Sequence, residues 1–261
     1  MSTSIEGPVS TEEAARLVAE CPRWHHSMEV VPGVRSNGNY DPQPMLDRMG
    51  LPLDMTGMRA LDIGANDGFF SFEMERRGAE VVAIDCGEPA PGFVLTHRLR
   101  NSSVAQVDRN VYELTPEHLG TFDVILFLGV LYHLRHPLLA LDVLHRLANP
   151  GAALFVETHA IDQALIGPGG AVYAMGDPTY QLMQFYPMGE LGGDESNWWA
   201  PTLTCLESMV ETALFRVKWG VLWNSARALV KAVRDPELER RFYPHDRGII
   251  GDTATYFPPF D

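Results

Sequence analysis

Residues Leu61 to Phe70 (LDIGANDGFF) and Val81 to Asp85 (VVAID) leave this chain few folds to choose from. An apolar run enters a turn carrying Gly64 and Gly68, continues as a helical stretch, and is followed by a second apolar run that ends on a lone aspartate. Strand, glycine turn, helix and strand make a βαβ unit, whose parallel strands need helices over their faces. Asp85 follows Gly64 by 21 positions, close to the ~20 that separate a nucleotide-binding turn from the acid that holds ribose hydroxyls. The spacing predicts a site for an adenosine-containing ligand at the carboxyl end of the first strand.

The turn also says which ligand. Asn66 stands where dinucleotide sites need a second glycine to let a pyrophosphate approach. A ligand without pyrophosphate tolerates a side chain there, and an ammonium on it would be drawn to Asp62. This favours S-adenosylmethionine over a nicotinamide dinucleotide, with Asp85 on the ribose.

Apolar runs and helical periodicity continue from about residue 45. They predict strands at 59–63, 80–84, 104–107, 122–128, 152–157 and 214–219, and helices at 68–77, 92–100, 136–147 and 202–212. The alternation implies a parallel sheet wrapped on both faces, in a central domain over 46–224. Before it, residues 1–45 read as a helix and a loop-rich lid. Ser10 and Glu13 have capping-box spacing there, ahead of the stripe Ala14, Leu17, Val18. An insertion over 158–201, rich in Gly, Met and aromatics, is long enough to cap a substrate site. Residues 225–261 read as a helix (225–234) and a Pro- and aromatic-rich tail that points to docking on the body or to a homodimer.

Phe122 to His133 (FDVILFLGVLYH) is the second informative stretch. A buried strand delivers Leu128 to the sheet edge where open α/β folds bind ligands, and Tyr132 and His133 follow. An imidazole titrates near ~6.5 and suits proton removal at neutral pH. Glu157, at the end of the next strand, could orient His133, share its proton, hold a substrate hydroxyl, or be an ordinary bonded carboxylate. Substrate contacts are expected from His25 and His26 in the lid and from Tyr186, Trp198 and Trp199 in the insertion; the paired tryptophans could equally anchor the insertion. No metal-ligand spacing is present, so no metal is expected; a Mg²⁺ held by Glu157 and an acid of the insertion is the weaker alternative.

Composition narrows the partners. The 261 residues carry a net charge of −14, and only Lys218 and Lys231 of the 20 basic residues are lysines. Three scattered cysteines without a C-x-x-C pair fit a reducing cytoplasm. The first residues lack the charge and apolar pattern of a signal peptide. No apolar run approaches the ~20 residues of a membrane span.

The stretches LDIGANDGFFSFEMERRGA, VVAIDC, FDVILFLGVLYHLRHPLLAL and NWWAPT resemble class I S-adenosylmethionine-dependent methyltransferases. Within that class they are most similar to the branch related to the enzyme that modifies the wobble uridine of tRNA. The likeness spans about residues 55–220 and is most specific in GVLYHLRHP. It implies a Rossmann-like, seven-stranded, mostly parallel sheet with helices on both faces. It also implies S-adenosylmethionine as methyl donor, held by Asp62, Gly64, Asn66, Gly68, Asp85, Asn110, Val111 and Leu128. Asn110 and Val111 would meet the adenine edge, where a D-A-x-x-L-like segment stands in such enzymes; an ordinary loop is the alternative.

A tRNA acceptor fits the charge poorly. Between Arg146 and Arg216 there is no Lys or Arg, while Glu157, Asp162, Asp177, Glu190, Asp194, Glu195, Glu207 and Glu211 lie in that span. RNA binding depends on cations that neutralise phosphates. The sequence therefore predicts O-methylation of a small molecule such as a sugar, glycoside or secondary metabolite, with His133 as general base, Glu157 and Tyr132 beside it, and no nucleic-acid or membrane partner. A tRNA-modifying enzyme and a non-catalytic cofactor-binding partner protein are the rivals.

Overall fold

In the computed structural model, which describes residues 9–224 and 226–238, the apolar runs become strands because continuous Leu, Ile, Val and Phe can be buried on both faces of a parallel sheet. Two compact units are distinguished. The first holds the described residues up to Leu114 together with Phe122–Leu128; the second holds Thr115–Thr121 and the described residues from Gly129 onward.

The first unit starts with α1 (Thr11–Glu20), where Ser10 Oγ accepts from the Glu13 amide at 3.2 Å. Glu13 does not complete the reciprocal half of a capping box; its carboxylate turns to Arg16 at 2.6 Å. Then come β1 (Glu29–Val31) and β2 (Val34–Arg35), inside the segment that the sequence predicts as loop-rich, and α2 (Gln43–Met49) across its end. The βαβ core follows as β3 (Arg59–Ile63), α3 (Phe69–Arg76), β4 (Glu80–Asp85), α4 (Pro91–Arg100), β5 (Ala105–Asp108) and β6 (Phe122–Leu128). β3 runs parallel to β4 and β6, and β4 parallel to β5. Leu61, Ile63, Val82, Ile84, Ile125 and Phe127 are buried along this sheet.

The second unit holds α5 (Pro116–Leu119), α6 (Pro137–Leu147), β7 (Ala148–His159), β8 (Ala164–Ile166), β9 (Val172–Ala174), β10 (Met183–Phe185), β11 (Trp199–Pro201), α7 (Leu203–Thr212), β12 (Phe215–Asn224) and β13 (Arg227–Arg234). The helix predicted over 225–234 is therefore corrected: Arg227–Arg234 is a strand, antiparallel to both β12 and β7. Ala, Leu, Lys and Arg favour helix locally, but two neighbouring strands with open edges decide the outcome. The expected docking tail from Tyr243 onward lies outside the described residues.

The main sheet has seven strands in the order β12-β13-β7-β6-β3-β4-β5. This is the mostly parallel, helix-flanked sheet that the sequence predicts. The insertion is structured too: β8 pairs with β9 and β10 with β11, both antiparallel. Among the described residues, no helix is long and apolar enough to cross a membrane.

Candidate active site

Register explains why the sequence motif sits at the rim of the sheet. Ile63 is level with Ile84 on β4 and Phe127 on β6, and Asp85 is level with Asp108 on β5. One residue further on, Gly64, Asp85 and Leu128 make a row across the carboxyl ends of β3, β4 and β6. Strand order reverses direction between β3 and β6, and open α/β sheets bind their ligands at such a switch point.

The turn after β3 needs left-handed backbone at Gly64 (φ 76°), Asn66 (φ 49°) and Gly68 (φ 81°), which glycine and asparagine adopt most readily. At Gly68 a side chain is also excluded by space, since a Cβ there would stand 2.5 Å from the Phe72 ring and 2.6 Å from that of Phe93. The Asn66 amide donates to Asp85 Oδ2 at 2.9 Å, and the Cys86 amide to Oδ1 at 2.9 Å. The acid at the strand end is thus aimed by two backbone N–H groups and keeps lone pairs for further donors.

Asp62 is 3% exposed, and its Oδ2 accepts from Ser71 Oγ at 2.6 Å. Burial pushes its carboxyl up to about 6; Ser71 works against the rise and Asp85 adds to it. A buried carboxylate with one hydroxyl partner is a strong attractor for a cation. Asn66 Oδ1 is buried with no donor among the described residues. An acid for an ammonium, an acid for a diol and an unsatisfied acceptor around one glycine turn suit a nucleoside that carries an amino-acid tail. Asn110 Oδ1 is taken up locally, capping a 3₁₀ turn over Val111–Glu113 by accepting from the Tyr112 amide at 3.1 Å, and Val111 is buried beneath it.

His25 and His26 are tied to this turn by a contact that the sequence did not disclose. Asp67, fully buried, accepts from the His25 and His26 amides at 2.5 and 2.8 Å. His25 is exposed. His26 is buried against Phe69 and Phe70, and burial, helped by His25, lowers its imidazole to about 3. His26 is therefore a neutral packing residue, although Asp67 stands 3.8 Å from its Nδ1.

In the second unit, Tyr132 and His133 occupy a 3₁₀ turn just after β6 in sequence. The Tyr132 ring lies 4.2 Å from His133 and 4.6 Å from His159, with the Arg227 guanidinium 4.9 Å from its centroid. Arg227, which the sequence did not single out, joins this cluster. Its Nε and Nη2 donate to Glu157 at 2.5 and 2.6 Å, and it also bonds Tyr132. Burial opposes its charge, yet Glu157 holds the guanidinium protonated. Glu157 is thus paired with Arg227, the bonded carboxylate among the alternatives that the sequence leaves open.

His133 Nδ1 stands 3.2 Å from the Ser196 carbonyl and 2.9 Å from Ser196 Oγ. Burial pushes its imidazole below the ordinary range; Ser196 and Asp194 pull it back, and Arg227 pushes it further down. It is neutral at pH 7, as a proton acceptor must be. The Trp198 amide donates to the Tyr132 carbonyl at 2.7 Å, and Arg135 lies 4.2 Å over the Trp198 ring. Trp199 packs on Phe185 at 4.7 Å, and its Nε1 is buried with no acceptor among the described residues. Tyr186, expected at the substrate, is 1% exposed in a core with Ile161, Leu191 and Ala200, and its hydroxyl donates to Gln184 at 3.0 Å. It anchors the insertion from within. No group of three or more His, Cys, Asp or Glu able to hold a metal occurs among the described residues.

The family model for a methyltransferase domain matches residues 34–194, and the chain belongs to that family. It is a methyltransferase of the S-adenosylmethionine-dependent class, as the turn chemistry predicts. Among curated relatives, the ubiquinone biosynthesis O-methyltransferase of Xanthomonas oryzae pv. oryzae is 38% identical over 117 residues, 43% of this chain and 48% of the relative. The protein of the same name from Pseudomonas aeruginosa is 31% identical over 144 residues, 53% of this chain and 62% of the relative. The chain thus spans about half the length of the curated relatives it matches. Among solved structures, the N-terminal domain of EvdMO1, crystallised in the presence of SAH and D-fucose, superposes with a TM-score of 0.60 at 19% identity. That match covers 87% of this chain and 97% of the other, and at this identity it speaks for the fold.

Proposed function

We propose that this protein methylates a hydroxyl oxygen of a small, neutral or cationic acceptor, with His133 as general base. The observation that carries the reading is the state of His133: neutral at physiological pH, bonded to protein through Nδ1, with Nε2 left for a substrate proton. Two curated relatives named as O-methyltransferases support oxygen as the receiving atom.

S-adenosylmethionine, when bound, supplies an electrophilic methyl carbon on a sulfonium. Asp62 attracts its ammonium, Asp85 accepts from its ribose hydroxyls, and the buried Asn66 Oδ1 takes a further donor. An alcohol is a poor nucleophile at pH 7, so His133 Nε2 would accept the hydroxyl proton as the oxygen bonds the methyl carbon and the carbon–sulfur bond breaks, the sulfur leaving as a neutral thioether; the base contributes about 10²–10⁴ in rate. Trp198 and Trp199 offer apolar faces to the acceptor, with the Trp199 indole N–H in want of an acceptor oxygen.

Charge favours the acceptor class. Arg227 is already matched by Glu157, and the segment between Arg146 and Arg216 carries acids without a single cation. A polyanion would be repelled there. The test incubates the protein with labelled S-adenosylmethionine and an extract of its host that holds both small molecules and RNA, and identifies the product by mass spectrometry. An O-methylated small molecule is expected. Label on nitrogen or carbon, or tRNA that takes the label and binds with a steep salt dependence, would overturn the reading.

A further inference from the structure

Asp194, Ser196 and His133 form a hydrogen-bonded line. Asp194 Oδ1 accepts from the Ser196 amide at 2.8 Å and from Ser196 Oγ at 2.7 Å, an Asx turn that fixes the serine in place. With its own hydrogen committed to Asp194, Ser196 Oγ has only lone pairs to offer His133 Nδ1. The Ser196 carbonyl, which can only accept, faces the same nitrogen. Two acceptors on one ring nitrogen require that nitrogen to carry the hydrogen. The opposite nitrogen must then present a bare lone pair.

We propose that Asp194 and Ser196 are positioning residues that hold His133 in its Nδ1–H tautomer and so present Nε2 as the proton acceptor. This rests on the reading of His133 as the base. The groups around the imidazole are the Tyr132 ring, Ser196, Asp194 and Arg227, with His159 on the far side of Tyr132. Asp194 is exposed, so solvent screens its charge, and it acts through direction, by taking the Ser196 hydroxyl hydrogen. Nothing in the motif around His133 announces this pair, because 61 residues separate His133 from Asp194 in the chain.

Long-range ¹⁵N correlation spectra of the full chain, labelled at histidine, read the tautomer directly. The wild type is expected to show a protonated Nδ1 and a bare Nε2 at neutral pH. The double variant Asp194→Ala/Ser196→Ala loses both the hydroxyl and the Asx turn that holds the residue 196 carbonyl against Nδ1; it should show mixed tautomers, with kcat about tenfold lower and KM little changed, as expected for lost alignment. Ser196→Thr, which keeps the hydroxyl, should restore the wild-type spectrum and rate. Both residues are exposed, so the variants are expected to fold. A protonated Nε2 in the wild type, or an unchanged tautomer in the double variant, would overturn the positioning role while leaving His133 as base. Wild-type turnover in His133→Ala would overturn the base as well.

Discussion

Arg227 on β13 forks onto Glu157 on β7, Nε to Oε1 at 2.5 Å and Nη2 to Oε2 at 2.6 Å, from positions 70 residues apart in the chain. Glu157 is buried and Arg227 partly so, and the antiparallel register sets Arg227 opposite His159 at the start of the pairing. Removing one partner strands the other's charge. Arg227→Met is expected to cost about 3 kcal/mol, read as a lower urea midpoint. The double variant Arg227→Met/Glu157→Leu should recover most of that loss, since no unmatched charge remains. A single variant as stable as the wild type would show that the pair contributes little.

Asp62 predicts how cofactor affinity depends on pH. Its carboxyl, raised to about 6, must be ionised to attract an ammonium. Calorimetric affinity for S-adenosylmethionine should hold steady above neutrality and weaken as pH falls through 6. Asp62→Asn should weaken binding and abolish that slope. A slope that persists in the variant would place the titrating group elsewhere.

His133→Ala is expected to lower kcat by at least about a hundredfold, with S-adenosylmethionine binding preserved. In the wild type, the acid limb of kcat at saturating cofactor should lie below the ordinary imidazole value, because the folded protein disfavours the charged ring. A limb above ~6.5 would contradict the burial that sets this shift.

His26 makes stability pH-dependent. Its folded value of about 3 lies below the unfolded ~6.5, so the unfolded chain takes up the proton first. Its stabilising contribution is complete above pH 6.5 and is lost as pH falls toward 3. Unfolding free energies from urea titrations between pH 7 and 5 should therefore drop, by up to about 1.4 kcal/mol per pH unit. His26→Phe, which keeps a ring against Phe69 and Phe70, should flatten the trend.

The sequence disclosed most where burial is simplest. β3, β4 and β6 read directly because strands covered on both faces tolerate apolar residues without a break. Gly64, Asn66, Gly68 and Asp85 were legible because left-handed backbone and a strand-end acid leave residue-specific marks. β13 was misread because its alternation of Ala, Leu, Val, Lys and Arg suits a helix as well, and only its neighbours β7 and β12 make it a strand. Arg227 was lost with it. Tyr186 is expected at the substrate but sits in a core, because a core inside an insertion has no periodicity of its own to announce it. Asp194 and Ser196 carried one usable sign, the Asp-x-Ser pattern of an Asx turn.

Asp67 gathers the His25 and His26 amides onto a single oxygen, one step before the last glycine of the turn after β3. Trimming the leading segment for expression would therefore reach the binding loop from 41 residues away. A shortened protein would keep its sheet yet hold an anionic side chain in a dry hole with no amide to meet it. Losses of ligand affinity in such truncations would then report a broken tether, and not a missing contact with the nucleoside.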